Sequence, residues 1–490
     1  MRYVRIVRFA AVMLLAFMVL GKTANAAEGA KDFKDSEKLT IDDVLQSSAT
    51  HFPAILKSIA NRDAAEGRVL SAQGAFDVLF SADGFDRASG VWTGQVVNTE
   101  VRRNFRPLGL QVFGGYRISD GEFPIYEDIN FTNSLGEAKI GALFSLLRDR
   151  AFDQRRFREN DARLALQQAD LEVLLTKIGV QRRAIVAYWR WVAAGLQLRV
   201  YQKLLSIAED RESGLEEQVR RGARAAIFIT ENRQNITRRQ RLVLETERDF
   251  QTAANNLSFF YRGENSKPII PQPSALPAQE MAQIEMVNAD ISDFAVSDAL
   301  VNRPELGLLR KALERANAQE RLSKNELKPR LDLNAEVSND FGDIAEGGPT
   351  RDSTDVVVGF KFSVPLQRRE AKGRLRSAEA ASEALRQDRR QAEERIELEI
   401  RNILIDYDIA QELARIATLE VQQTATMENA ERERFASGAS DFFLVNVREE
   451  TAADARIRSI LAQLQTQIAA ANYNSATVDL EKLGLSTNGF

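Results

Sequence analysis

Two segments in the second half of the chain alternate apolar and polar residues with a period of two. Between residues 331 and 337, and again between residues 356 and 364, every second residue is apolar. Such alternation predicts β-strands with one apolar and one polar face. The first half has the same pattern at residues 78–82 and 138–146, on either side of a longer segment rich in glycine and aromatic residues. The pattern therefore predicts four strands per chain.

A longer period follows the last of these strands. Its apolar positions are separated by four and three residues in turn, and they are Ile396, Ile400, Ile403, Tyr407, Ala410, Ala414, Ala417 and Val421. This spacing is typical of coiled-coil helices. Proline is absent from residues 125–267 and 366–490, and glycine is absent from residues 374–437, a stretch that measures about 96 Å as one helix. Amphipathic helices of an ordinary bundle would explain the period but not this length.

Each long helical segment is interrupted by one glycine, Gly222 in the first half and Gly438 in the second, and another helical segment follows each. The two glycines lie 216 residues apart, and the ends of the segments that follow them have the same offset. This correspondence predicts a tandem repeat. The predicted parts are a signal peptide (1–26), a first repeat (27–263, strands at about 77–147 and long helices at 148–262), a proline-rich linker (264–293), a second repeat (294–484, strands at about 330–365 and long helices at 366–484) and a tail (485–490).

The N-terminus has the pattern of an export signal. Three arginines precede the apolar run 9–20, and Ala24-Asn25-Ala26 follows as a cleavage pattern. The alternative is a membrane anchor, but this run is shorter than the roughly 20 residues that span a bilayer. Without residues 1–26 the chain has 62 basic and 70 acidic residues, and this acidic balance argues against nucleic acid as a partner.

The composition gives little support to an enzyme. The chain has no cysteine and a single histidine, His51, so thiol nucleophiles, cysteine-ligated metals and the usual general base are missing or nearly so. We expect His51, beside Pro53, to cap or pack at a helix start. Paired carboxylates such as Glu393 and Glu394 remain the enzymatic alternative, although adjacent helix residues point in different directions. The sequence therefore predicts no catalytic residue, no cofactor and no metal site.

A cluster of arginines in the first half also has a simple explanation. Acidic residues are interspersed with it, which predicts a solvated, salt-bridged helix face rather than a site for an anionic ligand. The cluster comprises Arg220, Arg221, Arg224, Arg233, Arg238, Arg239 and Arg241.

Four strands are too few to close a membrane barrel, for which about eight is the practical minimum. If the strands enter a membrane, several copies of the chain must each contribute some of them. A soluble sandwich is the alternative, because half-buried strands of soluble proteins alternate equally well.

Taken together, these features resemble the outer membrane factor family, the TolC-like efflux and secretion channels. The resemblance covers nearly the whole mature chain. It rests on the duplicated plan, on Asn302-Arg303-Pro304-Glu305-Leu306 opening a helix, on Val364-Pro365-Leu366 between strand and long helix, and on the Gly438-Ala439 turn before the last helix. The resemblance implies a helix-dominated fold: a homotrimer in which four strands per chain form a twelve-stranded β-barrel in outer-membrane lipid, continued by a coiled-coil barrel in the periplasm.

The resemblance also suggests roles for particular residues. The turns at Gly222, Ala223, Gly438 and Ala439 match the periplasmic hairpin tips where an adaptor protein docks. Some relatives narrow this end with a ring of aspartates, which the sequence here lacks, and we hypothesise an apolar gate at Phe228 and Leu444 instead. The residues expected to face lipid are Val358, Phe360, Phe362 and Val364.

The function implied is a passive exit duct of a tripartite efflux or type I secretion system. An inner-membrane pump or ABC exporter, coupled through a periplasmic adaptor, would supply the energy. The alternative is a periplasmic coiled-coil structural protein with no pore. The cargo stays open.

Overall fold

The computed structural model describes residues 38–277, 293–344 and 351–485. The predicted signal peptide, the linker residues 278–292 and the tail residues 486–490 lie outside the described residues. None of the helices in the described part combines the length and hydropathy needed to cross a bilayer.

The described chain begins with two helices, α1 (Ile41–His51) and α2 (Pro53–Gln73). Thr40 caps α1, because its hydroxyl accepts from the Asp43 amide while the Asp43 carboxylate accepts from the Thr40 amide. Pro53 opens α2 at a position where its missing N–H costs nothing. The predicted helix start beside His51 is present at Pro53, and His51 itself is the last residue of the preceding helix α1.

Six strands, not four, form one antiparallel sheet. They are β1 (Val78–Asp86), β2 (Gly94–Asn104), β3 (Gln111–Gly121), β4 (Gly136–Ser145), β5 (Arg330–Phe341) and β6 (Asp355–Ser363), and they pair in chain order. The predicted count missed β2 and β3, which form a hairpin inside the long glycine- and aromatic-rich segment. This inserted hairpin lies between β1 and β4 in the sheet. The first half of the chain therefore contributes four strands and the second half two.

Long helices follow the strands in both halves. The first half has α3 (Gln154–Arg220, 67 residues) and α4 (Ile227–Ser258), and the second half has α5 (Asp293–Asn302) and α6 (Pro304–Glu326) before β5, with α7 (Arg369–Ala436, 68 residues) and α8 (Phe442–Thr477) after β6. Asp153 and Asp441 cap α3 and α8 by accepting from backbone amides three residues on. The predicted long helices are thus present.

The main core lies along the middle of α3. Trp191, Leu257 and Leu483 are fully buried there, together with Val44 of α1. Leu276 also packs in this core, so close to Gly195 that a Cβ there would meet its Cδ2 at 2.5 Å. The described part of the proline-rich linker, residues 264–277, is therefore attached to the helices rather than free.

The helices lie side by side as a layer. Next to the sheet the contacts run from α2 to α3, then α6, then α7. Farther from the sheet they run from α4 to α3, then α8, then α7. One edge of the layer is therefore α7 along its whole length, and the other edge consists of α2 and α4.

Candidate channel wall and its free edges

One face of the six-stranded sheet is mostly apolar, with polar exceptions such as Thr99 and Arg103 of β2. The strand register places Phe360 opposite Leu333, Leu333 opposite Phe144, and Ile140 opposite both Val337 and Gly114. The face continues across the inserted hairpin, and its larger members are Val78, Phe80, Val97, Val101, Val112, Tyr116, Ile118, Ile140, Phe144, Leu331, Leu333, Val337, Val356, Val358, Phe360 and Phe362.

These apolar side chains are not covered by the chain itself. Val358, Phe360 and Phe362, for example, are 68%, 75% and 56% exposed. Single exposed apolar residues are normal on soluble proteins, but a contiguous exposed apolar face marks a surface that contacts a membrane or another protein. Val364 lies just after β6, which ends at Ser363, so the strand is one residue shorter than the sequence predicted.

The opposite face is mostly polar. Lys361 of β6 lies beside Asp332 of β5, and Arg117 of β3 pairs with Glu137 of β4. Charged side chains that alternate with the apolar set give the sheet two unlike surfaces. This is the arrangement of a wall between lipid and water.

The sheet has two free edges, β1 and β6, and each strand is nine residues long. Every residue of β1 is exposed, and so is every residue of β6 except Gly359. An edge strand of this kind presents unpaired backbone donors and acceptors. Because the number of strands is even and all neighbours are antiparallel, β6 of one copy can pair antiparallel with β1 of the next.

The helical layer has free edges that continue those of the sheet. On α7, which follows β6, an apolar stripe lies outside the buried seam and consists of Leu398, Ile405, Ile409, Leu413, Ile416 and Leu419. The other edge carries Leu56 and Leu70 of α2 and Leu244 of α4, all exposed. The seam predicted from sequence is itself largely buried against neighbouring helices, at Ile396, Ile400, Tyr407 and Ala410.

Both hairpin tips have the same backbone geometry. Gly222 and Gly438 are left-handed, with φ of 72° and 79°. Each is followed by an alanine whose amide bonds back to a carbonyl five residues earlier, at 2.9 Å for Ala223 to Gln218 and 2.8 Å for Ala439 to Arg434. This is the Schellman motif, for which glycine is preferred because it has no Cβ. All four tip residues are exposed.

Phe228 and Leu444, the two residues predicted to form a gate, lie near these tips in different surroundings. The Phe228 ring packs edge-on against Phe442 with centroids 6.0 Å apart, and Arg224 lies over it. Leu444 is half-buried in the first turn of α8. The chain thus holds Phe228 between its two hairpins, and the gate stays a prediction.

A buried ionic cluster above the tips escaped the sequence analysis. Glu449 of α8 is fully buried and accepts hydrogen bonds from Arg211 of α3, Arg239 of α4 and Arg432 of α7. The interpretation of the arginine cluster as a solvated face is therefore wrong for Arg239. A signal was present, since Glu449 shares a helix face with buried residues at spacings of three and four, namely Phe442, Val445, Asn446, Ala452 and Ala453.

The carboxylates considered for an enzyme are engaged elsewhere. Glu393 and Glu394 pair with Arg389 and Arg390 along α7, each at 3.2 Å. In the described part of the chain no three histidine or acidic side chains converge in a way that would hold a metal ion.

Comparison with known proteins agrees with this geometry. Residues 295–477 match the family model described as outer membrane efflux protein. No curated protein matches the sequence. The resemblance to TolC-like channels, inferred from sequence, is confirmed, and the predicted outer-membrane location agrees with the family description.

Solved structures show the same fold at low identity. The MtrE outer membrane channel of Neisseria gonorrhoeae, in its open state, aligns with a TM-score of 0.63 and 14% identity, covering 96% of this chain and 98% of that one. The CmeC outer membrane channel of Campylobacter jejuni aligns at 0.62 and 11% identity over 96% and 98%. A membrane protein from Pseudomonas aeruginosa aligns at 0.63 and 14% over 94% and 99%. The predicted fold, helix-dominated with a sheet portion, is confirmed.

Proposed function

We propose that this chain is one wall segment of a homotrimeric exit duct in the outer membrane, which conducts substrates passively from a periplasmic complex to the exterior. The observation that carries the proposal is the six-stranded sheet with one exposed apolar face and one polar face. Lipid covers the apolar face, and the polar face lines the lumen.

Closure comes from the unlike edges of the chain. The β6 strand of one copy pairs with β1 of the next, and the α7 stripe of one copy packs on α2 and α4 of the next. Contacts between two different edges generate a ring rather than a two-fold dimer. β6 and α7 lie on one side of the chain, and β1, α2 and α4 lie on the other. A single neighbouring copy can therefore pair with the strand edge and pack on the helical edge at the same time.

The size of the barrel follows from the strand count. Three copies of six strands give eighteen, instead of the twelve expected from four per chain. At a strand spacing of about 4.8 Å and a tilt of about 40°, eighteen strands close at a backbone diameter of about 36 Å, against about 24 Å for twelve. Barrels of this size leave an aqueous channel.

The partners follow from the resemblance. A periplasmic adaptor docks at the tips formed by Gly222, Ala223, Gly438 and Ala439, and an inner-membrane pump or ABC exporter supplies the energy. Phe228 and Leu444 are the proposed apolar gate at this end. If replacing both by alanine leaves single-channel conductance unchanged, the gate hypothesis is abandoned and both residues are hairpin packing.

The test of the duct is the mass and conductance of the purified protein. In detergent we expect a particle of three chains that inserts into planar bilayers and conducts ions. A periplasmic structural protein without a pore would be soluble without detergent and would not conduct, and that result overturns the proposal.

A further inference from the structure

The connection between β3 and β4, residues 122–135, folds back over the polar face of the sheet. It belongs to the end of the sheet far from the helices, which we term the distal end. Thr132 and Ser119 of β3 exchange two hydrogen bonds. The Ser119 amide donates to the Thr132 hydroxyl at 3.0 Å, and the Thr132 amide donates to the Ser119 hydroxyl at 2.9 Å. The Phe123 ring packs edge-on against Phe85 of β1 and against Phe131, with centroids 6.5 and 6.4 Å apart.

Burial shows which face the connection covers. Val96 and Ser119 point to the polar face near the distal end, and both are buried. Their sequence neighbours Val97 and Ile118 point to the apolar face, and both are exposed. Since these pairs lie at the same height in the sheet, only a cover on the polar side explains the difference.

The connection is attached across the width of the sheet. Arg87, which follows β1, donates two hydrogen bonds to the Glu127 carboxylate, at 3.0 and 2.8 Å. At the other end the Asn133 amide donates to the Asp340 carboxylate of β5 at 3.0 Å, and the Ser134 amide donates to the Asp343 carbonyl at 2.9 Å. We call this segment the strap, because hydrogen bonds join it to Arg87 just after the first strand and to Asp340 of the fifth.

The middle of the strap, residues 124–130, carries three uncovered apolar residues, and a fourth, Leu135, is exposed beside the start of β4. Ile125, Tyr126 and Ile129 are 92%, 84% and 71% exposed. Exposed apolar side chains on a segment that covers the water-lined face are in position to contact whatever passes that face.

We infer that the strap narrows the distal mouth of the duct, and that Ile125, Tyr126 and Ile129 determine the size and polarity of the molecules that leave. This inference rests on the proposed function, because it requires the polar face to line a lumen. In a ring of three chains, the inserted hairpins widen the distal mouth, and the three straps narrow it again. The cargo class it favours is a small or amphiphilic molecule rather than a folded polypeptide.

The absence of native cysteine permits a direct test. Lys361→Cys places one thiol on the polar face at the end of the sheet near the helices, and Phe360→Cys places one on the apolar face beside it. Intact cells are treated with a small maleimide or with a polyethylene-glycol maleimide, which must pass the distal mouth. We expect Lys361→Cys to react with the small reagent alone, and to react with both after residues 124–130 are replaced by Gly-Ser-Gly.

A milder variant and a control complete the design. Ile125→Ser, Tyr126→Ser and Ile129→Ser together keep the strap backbone and should partly relieve exclusion of the large reagent. Val91→Ser alters an exposed residue in the neighbouring connection and should leave exclusion unchanged. If the shortened strap prevents trimer formation, the triple serine variant decides.

The outcomes separate the two hypotheses. Equal labelling by the large reagent with and without the strap overturns the inference, and so does exclusion that persists after shortening. In both cases, if Lys361→Cys still reacts with the small reagent, the proposed duct function stands and only the role of the strap is lost. A reactive Phe360→Cys beside an unreactive Lys361→Cys contradicts the proposed function itself.

Discussion

Arg239 of α4 donates a hydrogen bond to Glu449 of α8 at 3.1 Å, and the two side chains are only 1% and 0% exposed. Burial lowers the pKa of Arg239, while the Glu449 carboxylate opposes that shift. Arg239 also donates to the Leu204 carbonyl of α3 at 2.8 Å. One buried pair thus connects three helices and joins the two hairpins of the chain.

We predict that Glu449→Gln destabilises this region by about 3–5 kcal/mol, because removing one partner of a buried ion pair leaves the other charge uncompensated. Three guanidinium groups lose their shared carboxylate in this variant. The measurement is chemical unfolding of the trimer in detergent. The control is Glu245→Gln, which breaks the exposed Arg241–Glu245 pair and should cost less than about 1 kcal/mol. Equal effects of the two variants would contradict a structural role for the buried cluster.

Replacing the tip glycines by alanine should destabilise the hairpins through backbone strain alone. A Cβ at Gly438 would meet nothing within 4 Å, yet its φ of 79° disfavours a side chain. We therefore expect Gly438→Ala to cost about 1–2 kcal/mol. Gly214→Ala is the matched control, since Gly214 also has open space but lies in the interior of α3, where alanine should stabilise by up to about 1 kcal/mol. The same sign for both variants would be inconsistent with the turn geometry.

Charge on the apolar face of the sheet should prevent membrane insertion. Phe360→Lys places an ammonium group where the duct contacts lipid, at a cost of about 2–4 kcal/mol near the bilayer midplane. Lys361→Ser changes the neighbouring residue on the polar face and should insert normally. The folded fraction in lipid vesicles, measured by gel mobility without heating, distinguishes them. Normal insertion of Phe360→Lys would show that lipid does not cover this face.

The sequence patterns predicted the long helices and the strands β1, β4, β5 and β6, because each follows from its own local period. The alternation at residues 331–337 and 356–364 has one exception, Val357, which is apolar but lies on the polar face opposite Glu336. The register pairs Leu331 with Phe362 and Val337 with Val356 as the pattern requires. The inserted hairpin has no such pattern. Val96 and Val97 are adjacent apolar residues on opposite faces, and Gly114 and Gly115 interrupt β3. Which residues of the hairpin lie on which face is determined by the pairing of β2 with β1 and of β3 with β4. A local sequence pattern carries no information about that pairing.

The buried cluster was missed for a related reason. Arg239 and Glu449 lie 210 residues apart, and each has charged sequence neighbours that suggest a solvated face. Only the packing of α3, α4, α7 and α8 brings them together. The strap was missed in the same way. Its aromatic residues mark the segment by composition, but they do not indicate which face of the sheet it covers.

The exposed stripe on α7 should be required for assembly. We predict that Ile405→Asp with Ile409→Asp shifts the protein from trimer to monomer, because it places two charges in the apolar contact between copies. Glu394→Ala on the same helix removes an exposed charge paired with Arg390 and should leave the trimer intact. Light scattering in detergent gives the mass. A trimer that survives the double substitution would place the contact elsewhere.

Acid should weaken the attachment of the inserted hairpin to the helices. Arg106, in the turn between β2 and β3, donates two hydrogen bonds to the buried Glu159 of α3, at 3.0 and 2.9 Å. These bonds hold the pKa of Glu159 below its ordinary 4.5, although burial opposes the shift. A carboxyl with a lowered pKa in the folded state binds its proton more tightly when unfolded. Its stabilisation is therefore complete above pH 4.5 and is lost as the pH falls through the folded value.

The expected result is a pH-dependent difference in melting temperature between the wild type and Glu159→Gln. The variant should melt lower at pH 7, and the two curves should converge as the pH falls below 4.5. Glu412→Gln is the control, because Arg415 lowers the pKa of Glu412 by a hydrogen bond on the exposed surface of α7, where such pairs contribute little. A difference that stays constant from pH 7 to pH 3 would mean that Glu159 acts through packing rather than through its charge.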